Sequence, residues 1–256
     1  MAHGDAMPVT LRRHDRILVV TINRPEQRNA LDGETIAGIR DAFLNAKGDD
    51  EVRCIVLTGA GDRAFCAGMD LKEFVADKST TGAGRPTLDI FTRQFYPKPV
   101  IAAINGTAVA GGFELMLACD LVIAADHAMF GIAEVKRGLV AKGGGTRLPR
   151  RIPLAIALEM GLTGDLISAT RAYELGLINT VVSKERLLGE ALALAARVAA
   201  NAPLALSVTK QLMREEIGAA EWEHINAAAA PVFASDDARE GAAAFAEKRP
   251  PRWKGS

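Results

Sequence analysis

The chain has 256 residues, of which 49% are hydrophobic and 24% charged, a balance typical of an ordinary globular protein. Its 31 lysines and arginines equal its 31 aspartates and glutamates, so composition gives it no general affinity for nucleic acid or an anionic membrane. The apolar region 99–125 is interrupted by Asn105, Glu114 and Asp120, which excludes a membrane span there.

The cysteines and the start of the chain bear on its compartment. Cys54, Cys66 and Cys119 have apolar neighbours and no metal-site or redox spacing, so we expect buried free thiols in a reducing compartment. The opening residues, MAHGDAMPVT, lack the basic and then apolar layout of a signal peptide. The sequence therefore predicts a cytoplasmic protein.

Short apolar runs recur along the first half of the chain. They end in turn-forming residues, as strands do, and their nearly continuous apolar character is typical of strands covered on both faces. The predicted strands are residues 17–23, 54–61, 100–106 and 121–126. Between the first two, Ile36, Ile39 and Phe43 recur at helical spacing. They predict a helix over residues 34–46, and strands alternating with helices indicate an α/β core.

The last quarter of the chain changes character after about Ser183. The segments KERLLGEALALAARVAANAP and LALSVTKQLMREEIG predict two helices separated by Pro203, and an alanine-rich segment follows at residues 222–245. We therefore expect a core over residues 1–195 and a helical C-terminal region over residues 196–256.

One apolar stretch, AVAGGFELMLACD at residues 108–120, contains a carboxylate. Gly111 and Gly112 precede an apparent helix over residues 113–119, so backbone N–H groups there can approach a ligand at the positive end of the helix dipole. A tight junction between a strand and a helix would also explain the two glycines. Glu114 falls in the first turn, where a carboxylate either compensates the dipole or, if buried, is paired, neutralised or functional.

Two further stretches carry weaker signals. Residues 64–70, AFCAGMD, form a small-residue turn that presents the N–H of Met69, or else an ordinary loop with one buried phenylalanine. Residues 128–152 contain Glu134 and a glycine triplet, 143–145, before a predicted helix. The triplet lacks the lysine and hydroxyl residue of a P-loop and the spacing of a dinucleotide-binding motif, so a phosphate cradle is not indicated.

In this order, the motifs NRPEQRNAL, AFCAGMDLKEF, GTAVAGGFELMLACDLVIAADHAMFGIAE and GGGTRLPR resemble the crotonase superfamily, and within it the enoyl-CoA hydratases. The resemblance extends from about Ile17 to Trp253, and the chain is also similar to carnitinyl-CoA dehydratases. It implies an α/β spiral of repeated ββα units with a helical C-terminal trimerisation region, assembled as a homotrimer or a dimer of trimers. It also implies an acyl-CoA thioester as ligand, no metal and no cofactor beyond the coenzyme A of the substrate, and neither nucleic acid nor membrane as partner.

The resemblance assigns roles to the residues singled out above. The N–H groups of Met69 and Gly111 would form an oxyanion hole for the thioester oxygen. Glu114 and Glu134 match the two catalytic glutamates of hydratases. Hydration of an enoyl thioester needs a water activated for attack on the β-carbon and a proton for the α-carbon, which two carboxylates can divide between them. We assign the water to Glu114 and the proton to Glu134.

The resemblance also implies a set of binding residues. The loop PEQRNA matches the loop that lies along the coenzyme. Lys72 and Lys248 match lysines near its phosphates, although ordinary solvated charge is the alternative for each. Ala141 and Lys142 stand where many hydratases have proline and glycine, and because that loop borders the acyl site, the departure bears on acyl preference. The implied binding residues are Gln27, Arg28, Ala30, Ala67, Asp70, Lys72, Lys142, Gly143 and Lys248.

The leading interpretation is therefore reversible hydration of a trans-2-enoyl-CoA. A carnitinyl-CoA dehydratase, or a hydratase for a steroid or branched acyl group, would use the same glutamates and remains an alternative. A double-bond isomerase needs only one carboxylate, so the presence of both glutamates disfavours that activity. A non-catalytic acyl-CoA-binding or RNA-binding relative is the alternative from another class. Loss of Glu114 or Glu134 would have favoured that binder, and both are present.

Overall fold

A computed structural model of the chain describes residues 7–70, 87–214, 227, 230–231 and 233–252. The strands of this part are β1 (Val9–His14), β2 (Ile17–Ile22), β3 (Cys54–Gly59), β4 (Ala64–Cys66), β5 (Val100–Ile104), β6 (Thr107–Val109), β7 (Leu121–Ala125), β8 (Met129–Gly131), β9 (Ile167–Ser168) and β10 (Thr180–Val182). Its α-helices are α1 (Gly33–Gly48), α2 (Asp89–Thr92), α3 (Gly111–Ala118), α4 (Leu154–Thr163), α5 (Ala169–Glu174), α6 (Leu187–Ala199), α7 (Pro203–Arg214) and α8 (Asp236–Ala246). Single-turn or short 3₁₀ helices occur at Pro25–Gln27, Glu134–Arg137, Gly145–Arg150 and Lys184–Arg186.

The described strands form two sheets. One has six strands in the order β1-β2-β3-β5-β7-β10, and the other has four in the order β4-β6-β8-β9. All neighbours pair in parallel except β1 with β2 and β8 with β9. Successive pairs, β3–β4, β5–β6 and β7–β8, each give their first strand to the larger sheet and their second to the smaller. This alternation, with α3 following β6, is the repeating ββα spiral that was predicted.

The larger sheet is buried on both faces, which explains the continuous apolar runs of its strands. Along β3, Ile55 and Leu57 face the main core, whereas Cys54 and Val56 face a second core on the opposite side. Helix α6 covers that second face. The four predicted strands are confirmed as β2, β3, β5 and β7, each within a few residues of the expected bounds. The six-residue strand β1 was not predicted, nor were the two- or three-residue strands β4, β6, β8, β9 and β10, in which so few residues show no periodicity.

The predicted helices are confirmed with altered bounds. Helix α1 contains the predicted segment, buries Ile39 and Phe43, and begins after Asp32, whose carboxylate accepts a hydrogen bond from the Thr35 N–H at 2.8 Å. Helix α3 begins at Gly111, two residues earlier than predicted, so Glu114 lies in its first turn as expected. The segment after the glycine triplet forms a 3₁₀ helix.

The C-terminal region begins with α6, which packs closely on the larger sheet. Its buried residues recur every fourth position, and three of them are alanines that allow a close approach: Leu187, Ala191, Ala195 and Ala199. The expected division between residues 195 and 196 falls inside this helix. Helix α7 then begins at Pro203, where a proline fits the first helical turn. Part of the predicted alanine-rich helix lies outside the described residues, and its end is α8.

Two further expectations concern the cysteines and the membrane. Cys54, Cys66 and Cys119 are free and buried, as predicted. Within the described ranges no single helix is long and apolar enough to cross a membrane, and Lys184–Ala199 with Pro203–Gln211 passes that test only as a pair bent by 101°.

Candidate active site

The N-terminus of α3 meets the loop after β4. A side-chain carbon at Gly111 would lie 3.6 Å from the Met69 nitrogen, so the two predicted donors are close neighbours. Neither N–H donates a hydrogen bond to another residue of the described part. Ala110, just before the helix, has φ 51° and ψ −128°, a conformation that costs a residue with a side chain of order 1–3 kcal/mol. Strain of this kind is typical of sites where backbone geometry has a function.

Close packing fixes the distance between α3 and the loop. A side-chain carbon at Gly112 would lie 2.0 Å from the Cys66 carbonyl oxygen, a clash that only glycine avoids. The helix start is therefore pressed onto β4, immediately before Met69. The glycine pair thus forms a tight junction between strand and helix, and this junction also brings two backbone donors together.

Glu114 projects from the first turn of α3 against the glycine triplet. Its Oε1 accepts a hydrogen bond from the Gly145 N–H at 2.9 Å, and a side-chain carbon at Gly143 would lie 2.3 Å from its Oε2. Burial raises the pKa of Glu114 to about 7, against the opposing effects of the triplet's N–H groups and of the positive charge of Arg93. Glu114 therefore exchanges a proton near neutral pH.

Glu134 lies at the start of a 3₁₀ helix just after β8 and is buried, with 8% exposure. Its Oε2 has no hydrogen-bond partner among the described residues. Burial, followed by the negative charge of Glu114, raises the pKa of Glu134 to about 8. Because each carboxylate disfavours the charge of the other, the pair tends to hold one proton near neutral pH.

A network around Arg24, absent from the predicted site residues, supports the loop that carries Met69. One guanidinium nitrogen lies 2.9 Å from the Asp32 carboxylate and 3.2 Å from that of Asp70, and another donates to the Ala30 carbonyl at 2.6 Å. Asp70 is thus ion-paired within the protein, and its predicted contact with substrate stays a prediction. An arginine just before the PEQRNA loop gave no signal of its own, because its partners lie up to 46 residues away.

The PEQRNA loop is bonded directly to the oxyanion loop. The Leu31 N–H donates to the Gly68 carbonyl at 2.8 Å, and the Ala67 N–H donates to the Arg28 carbonyl at 3.1 Å. Buried Asn29 also donates to the Ala64 carbonyl at 2.7 Å. The PEQRNA loop and the loop that carries Met69 are therefore in direct contact.

The remaining predicted binding residues have different surroundings. Gln27 and Arg28 are exposed and Ala30 is buried, whereas Lys142 and Gly143 lie beside Glu114. Lys248 is exposed just after α8, with no described contact to the glutamates, and Lys72 lies outside the described residues. Helix α8 itself packs on the 3₁₀ helix that begins with Glu134.

The described residues contain no group of three or more histidine, cysteine, aspartate or glutamate side chains that could hold a metal ion. The chemistry that this arrangement offers is proton transfer by one buried and one partly buried carboxylate next to paired backbone donors. Such donors stabilise negative charge that develops on a carbonyl oxygen.

Comparison with known proteins identifies the family. A model of the enoyl-CoA hydratase/isomerase family matches residues 12–256. The chain is 40% identical to (E)-benzylidenesuccinyl-CoA hydratase of Thauera aromatica, over 98% of this chain and 100% of the relative. It is 41% identical to carnitinyl-CoA dehydratase of Citrobacter koseri, over 95% and 97% of the two chains. A solved carnitinyl-CoA hydratase from Mycobacterium avium superposes with a TM-score of 0.90 at 40% identity, covering 98% of this chain and 100% of that one.

The fold is that of the crotonase-type enzymes, and the family match and the named relatives identify a hydro-lyase. This chain belongs to the enoyl-CoA hydratase/isomerase family.

Proposed function

We propose that this protein catalyses the reversible addition of water to a trans-2-enoyl-CoA, with Glu114 and Glu134 as the catalytic residues and the N–H groups of Met69 and Gly111 as the oxyanion hole. The observation that carries the proposal is a pair of glutamates with raised pKa values, Glu134 buried and Glu114 partly buried, beside two neighbouring backbone donors. A purely structural role would not require two carboxylates to remain without an ion pair in this position.

In the hydration direction, ionised Glu114 takes a proton from water as the oxygen attacks the β-carbon. The π electrons move toward the thioester oxygen, where the N–H groups of Met69 and Gly111 stabilise the enolate. Protonated Glu134 then gives its proton to the α-carbon, and the enolate collapses to the thioester. The net change is the addition of one water molecule. Glu114 ends protonated and Glu134 ionised, and a proton exchange between them restores the starting state.

Two carboxylates with raised pKa values can divide these roles. Burial raises the pKa of both Glu114 and Glu134, and the charge of Glu114 raises that of Glu134 further, so the pair tends to hold one proton near neutral pH. One carboxylate can then act as the base and the other as the acid, and the resemblance assigns the base to Glu114 and the acid to Glu134. The reaction consists of proton transfers and formation of a carbon–oxygen bond. We therefore propose that it needs no metal or cofactor beyond the coenzyme A of the substrate.

The coenzyme is proposed to bind along the loop of Gln27, Arg28 and Ala30, with Lys72 and Lys248 near its phosphates. The bonds between that loop and residues 66–70 support this, because a ligand on the loop is then held next to the oxyanion donors. Carnitinyl-CoA dehydration is the second candidate activity, favoured by two similar proteins of that name.

Assembly and location complete the proposal. A homotrimer or a dimer of trimers is supported by a stripe of exposed leucines on α4, which are spaced four residues apart: Leu154, Leu158 and Leu162. Light scattering after gel filtration tests this, since a mass equal to one chain would contradict it.

A cytoplasmic location is supported by the three unpaired buried thiols. The division between core and C-terminal region near residue 195 remains a prediction.

A turnover screen tests the proposed activity. Enoyl-CoA esters of graded length and branching are incubated with the protein, and loss of the conjugated thioester absorbance is followed together with product mass. We expect a gain of one water molecule for at least one ester. Double-bond migration without hydration, or tight binding without turnover, would contradict the proposal.

A further inference from the structure

Lys142 lies in the loop that packs against the Glu114 carboxylate. It immediately precedes Gly143, where a side-chain carbon would lie 2.3 Å from the Glu114 Oε2. The Lys142 N–H donates to the Val140 carbonyl at 2.8 Å, which holds the backbone of this loop in a tight turn. The lysine is therefore anchored at the wall next to the reacting groups.

The ammonium group of Lys142 is half-buried and has no carboxylate within 4 Å in the described part of the chain. It lies 4.1 Å from the centre of the Phe233 ring, a cation–π contact. Lys210, by contrast, has a side chain only 11% exposed, and its ammonium group lies 2.7 Å from the Asp120 carboxylate. Partial burial of an ammonium group without an anionic partner costs desolvation free energy. A bound anion would offset that cost.

Arg93 supplies a second positive charge to the same place. Its charge favours the ionised form of Glu114 and opposes that of Lys142, so it lies near both groups. Arg93 also lines a cleft of about 230 Å³ together with Phe91 and Phe95. Its ion pair with Asp89 at 3.3 Å neutralises part of this charge, which leaves Lys142 as the stronger anion-binding group.

A simple enoyl chain has no group that these cations could bind. We propose that the acyl site takes an enoyl group that carries a carboxylate beyond the β-carbon, with Lys142 as its direct partner and Arg93 as a second, longer-range cation. The inference rests on the proposed hydratase activity and names its substrate class. A hydrogen bond to a charged group contributes about 1.5–3 kcal/mol, so the preference over a neutral ester is about 10- to 100-fold in kcat/KM.

The test compares three esters on the full-length protein. Glutaconyl-CoA carries a terminal carboxylate, trans-2-hexenoyl-CoA is a neutral ester of similar length, and the crotonyl-CoA derivative with a terminal trimethylammonium group is cationic. The variants are Lys142→Met, Lys142→Arg and Lys142→Glu, with Lys47→Met on the exposed end of α1 as the matched control. The measured quantity is the ratio of kcat/KM values between esters. Loss of the Lys142 charge would change Glu114 ionisation for every ester alike and so would not move this ratio.

We expect the wild type and Lys47→Met to prefer glutaconyl-CoA, Lys142→Arg to keep most of the preference, Lys142→Met to lose it, and Lys142→Glu to favour the cationic ester. Calorimetric titration with the saturated esters glutaryl-CoA and hexanoyl-CoA, which cannot be hydrated, must show the same order in Kd. Hydration of the neutral ester without a preference for the carboxylate, or a preference unchanged in Lys142→Met, would overturn the inference alone. Hydration of none of the three esters, with no water gained by any other enoyl-CoA, would overturn the proposed function as well.

Discussion

Two acidic side chains lie at opposite ends of α3 and differ in how their charge is balanced. Asp120, just after the helix, has its carboxylate 2.7 Å from the Lys210 ammonium and 2.9 Å from the Arg214 guanidinium, and it accepts the Val100 N–H at 2.8 Å. Glu114, in the first turn, accepts the Gly145 N–H and has no ion pair among the described residues.

The difference separates a structural acid from a reactive one. The cationic partners of Asp120 come from α7, so this acid joins the C-terminal helix to β5. The carboxylate of Glu114 is balanced only by N–H groups and distant charge, and its pKa rises to about 7. Glu114 and Asp120 are six residues apart, and Glu114, which has no cation at contact distance among the described residues, is the one suited to proton exchange.

Glu114→Gln and Glu134→Gln should produce the largest effects on activity. Glutamine keeps the shape of the side chain but neither takes nor gives the proton, so we expect kcat to fall by about 10²–10⁴ while binding of a saturated acyl-CoA is retained. Steady-state kinetics and calorimetry measure the two quantities. A glutamine variant with nearly full activity would remove that residue from the mechanism.

Gly111 tests the backbone donor at the reactive end of the helix. Gly111→Pro removes the N–H, and loss of one oxyanion donor lowers kcat by about 10²–10³. Gly111→Ala keeps the N–H and is the matched control, with folding of both checked by circular dichroism and gel filtration. Equal losses in the two variants would indicate crowding instead, and full activity in a folded proline variant would disprove the oxyanion role.

Asp120→Asn tests the structural acid that follows the C-terminal end of α3. It leaves a buried ammonium and a guanidinium without their anion, and breaking a buried pair in this way costs about 3–5 kcal/mol. We expect a loss of about 3 kcal/mol in the free energy of unfolding, because Arg214 is partly exposed. Urea denaturation measures it, with Asp236→Asn as an exposed ion-pair control that should change stability by less than about 1 kcal/mol. Similar values for the two variants would show that Asp120 has no special structural role.

Glu134→Gln should have an effect on stability that depends on pH. Burial raises the pKa of Glu134 in the folded state to about 8, above its ordinary value of 4.5, so the unfolded chain loses this proton first as pH rises. The free energy of unfolding therefore falls as the pH rises from 4.5 to about 8, by about 1.4 kcal/mol per unit of pKa difference. The glutamine variant lacks this loss, and its stability relative to wild type should grow from pH 5 to pH 9. Chemical denaturation across this range measures the effect, with Glu51→Gln at an exposed position as the control. A difference in the free energy of unfolding between Glu134→Gln and wild type that stayed constant with pH would contradict the prediction.

Lys248 is exposed and has no described contact with either glutamate, so it should have the smallest effect. An exposed ion pair contributes about 0.2–1 kcal/mol, which predicts that Lys248→Ala weakens binding of an acyl-CoA by no more than about fivefold. A pantetheine ester, which lacks the nucleotide phosphates, should be unaffected. Equal effects on both ligands would assign the lysine to the fold instead of the coenzyme.

The sequence was most informative where a local pattern has one physical explanation. The apolar runs of β2, β3, β5 and β7 were predictable because both faces of the larger sheet are buried. The helical period of α1 was equally clear. The candidate residues Met69, Gly111, Glu114 and Glu134 came from motifs whose order resembles that of a family, and the family match agrees with the resemblance.

Only the tertiary structure determined how those residues meet and what supports them. Burial raises the pKa of Glu114, which accepts a hydrogen bond from Gly145, 31 residues later in the chain, and Arg24 reaches Asp70 across 46 residues. The free energies of burial, ion pairing and close packing depend on distances in space, and no local window of the sequence contains them. The sequence therefore determined which side chains have reactive groups. The fold decided that, among the described residues, Glu114 has no ion-pair partner while Asp120 has two.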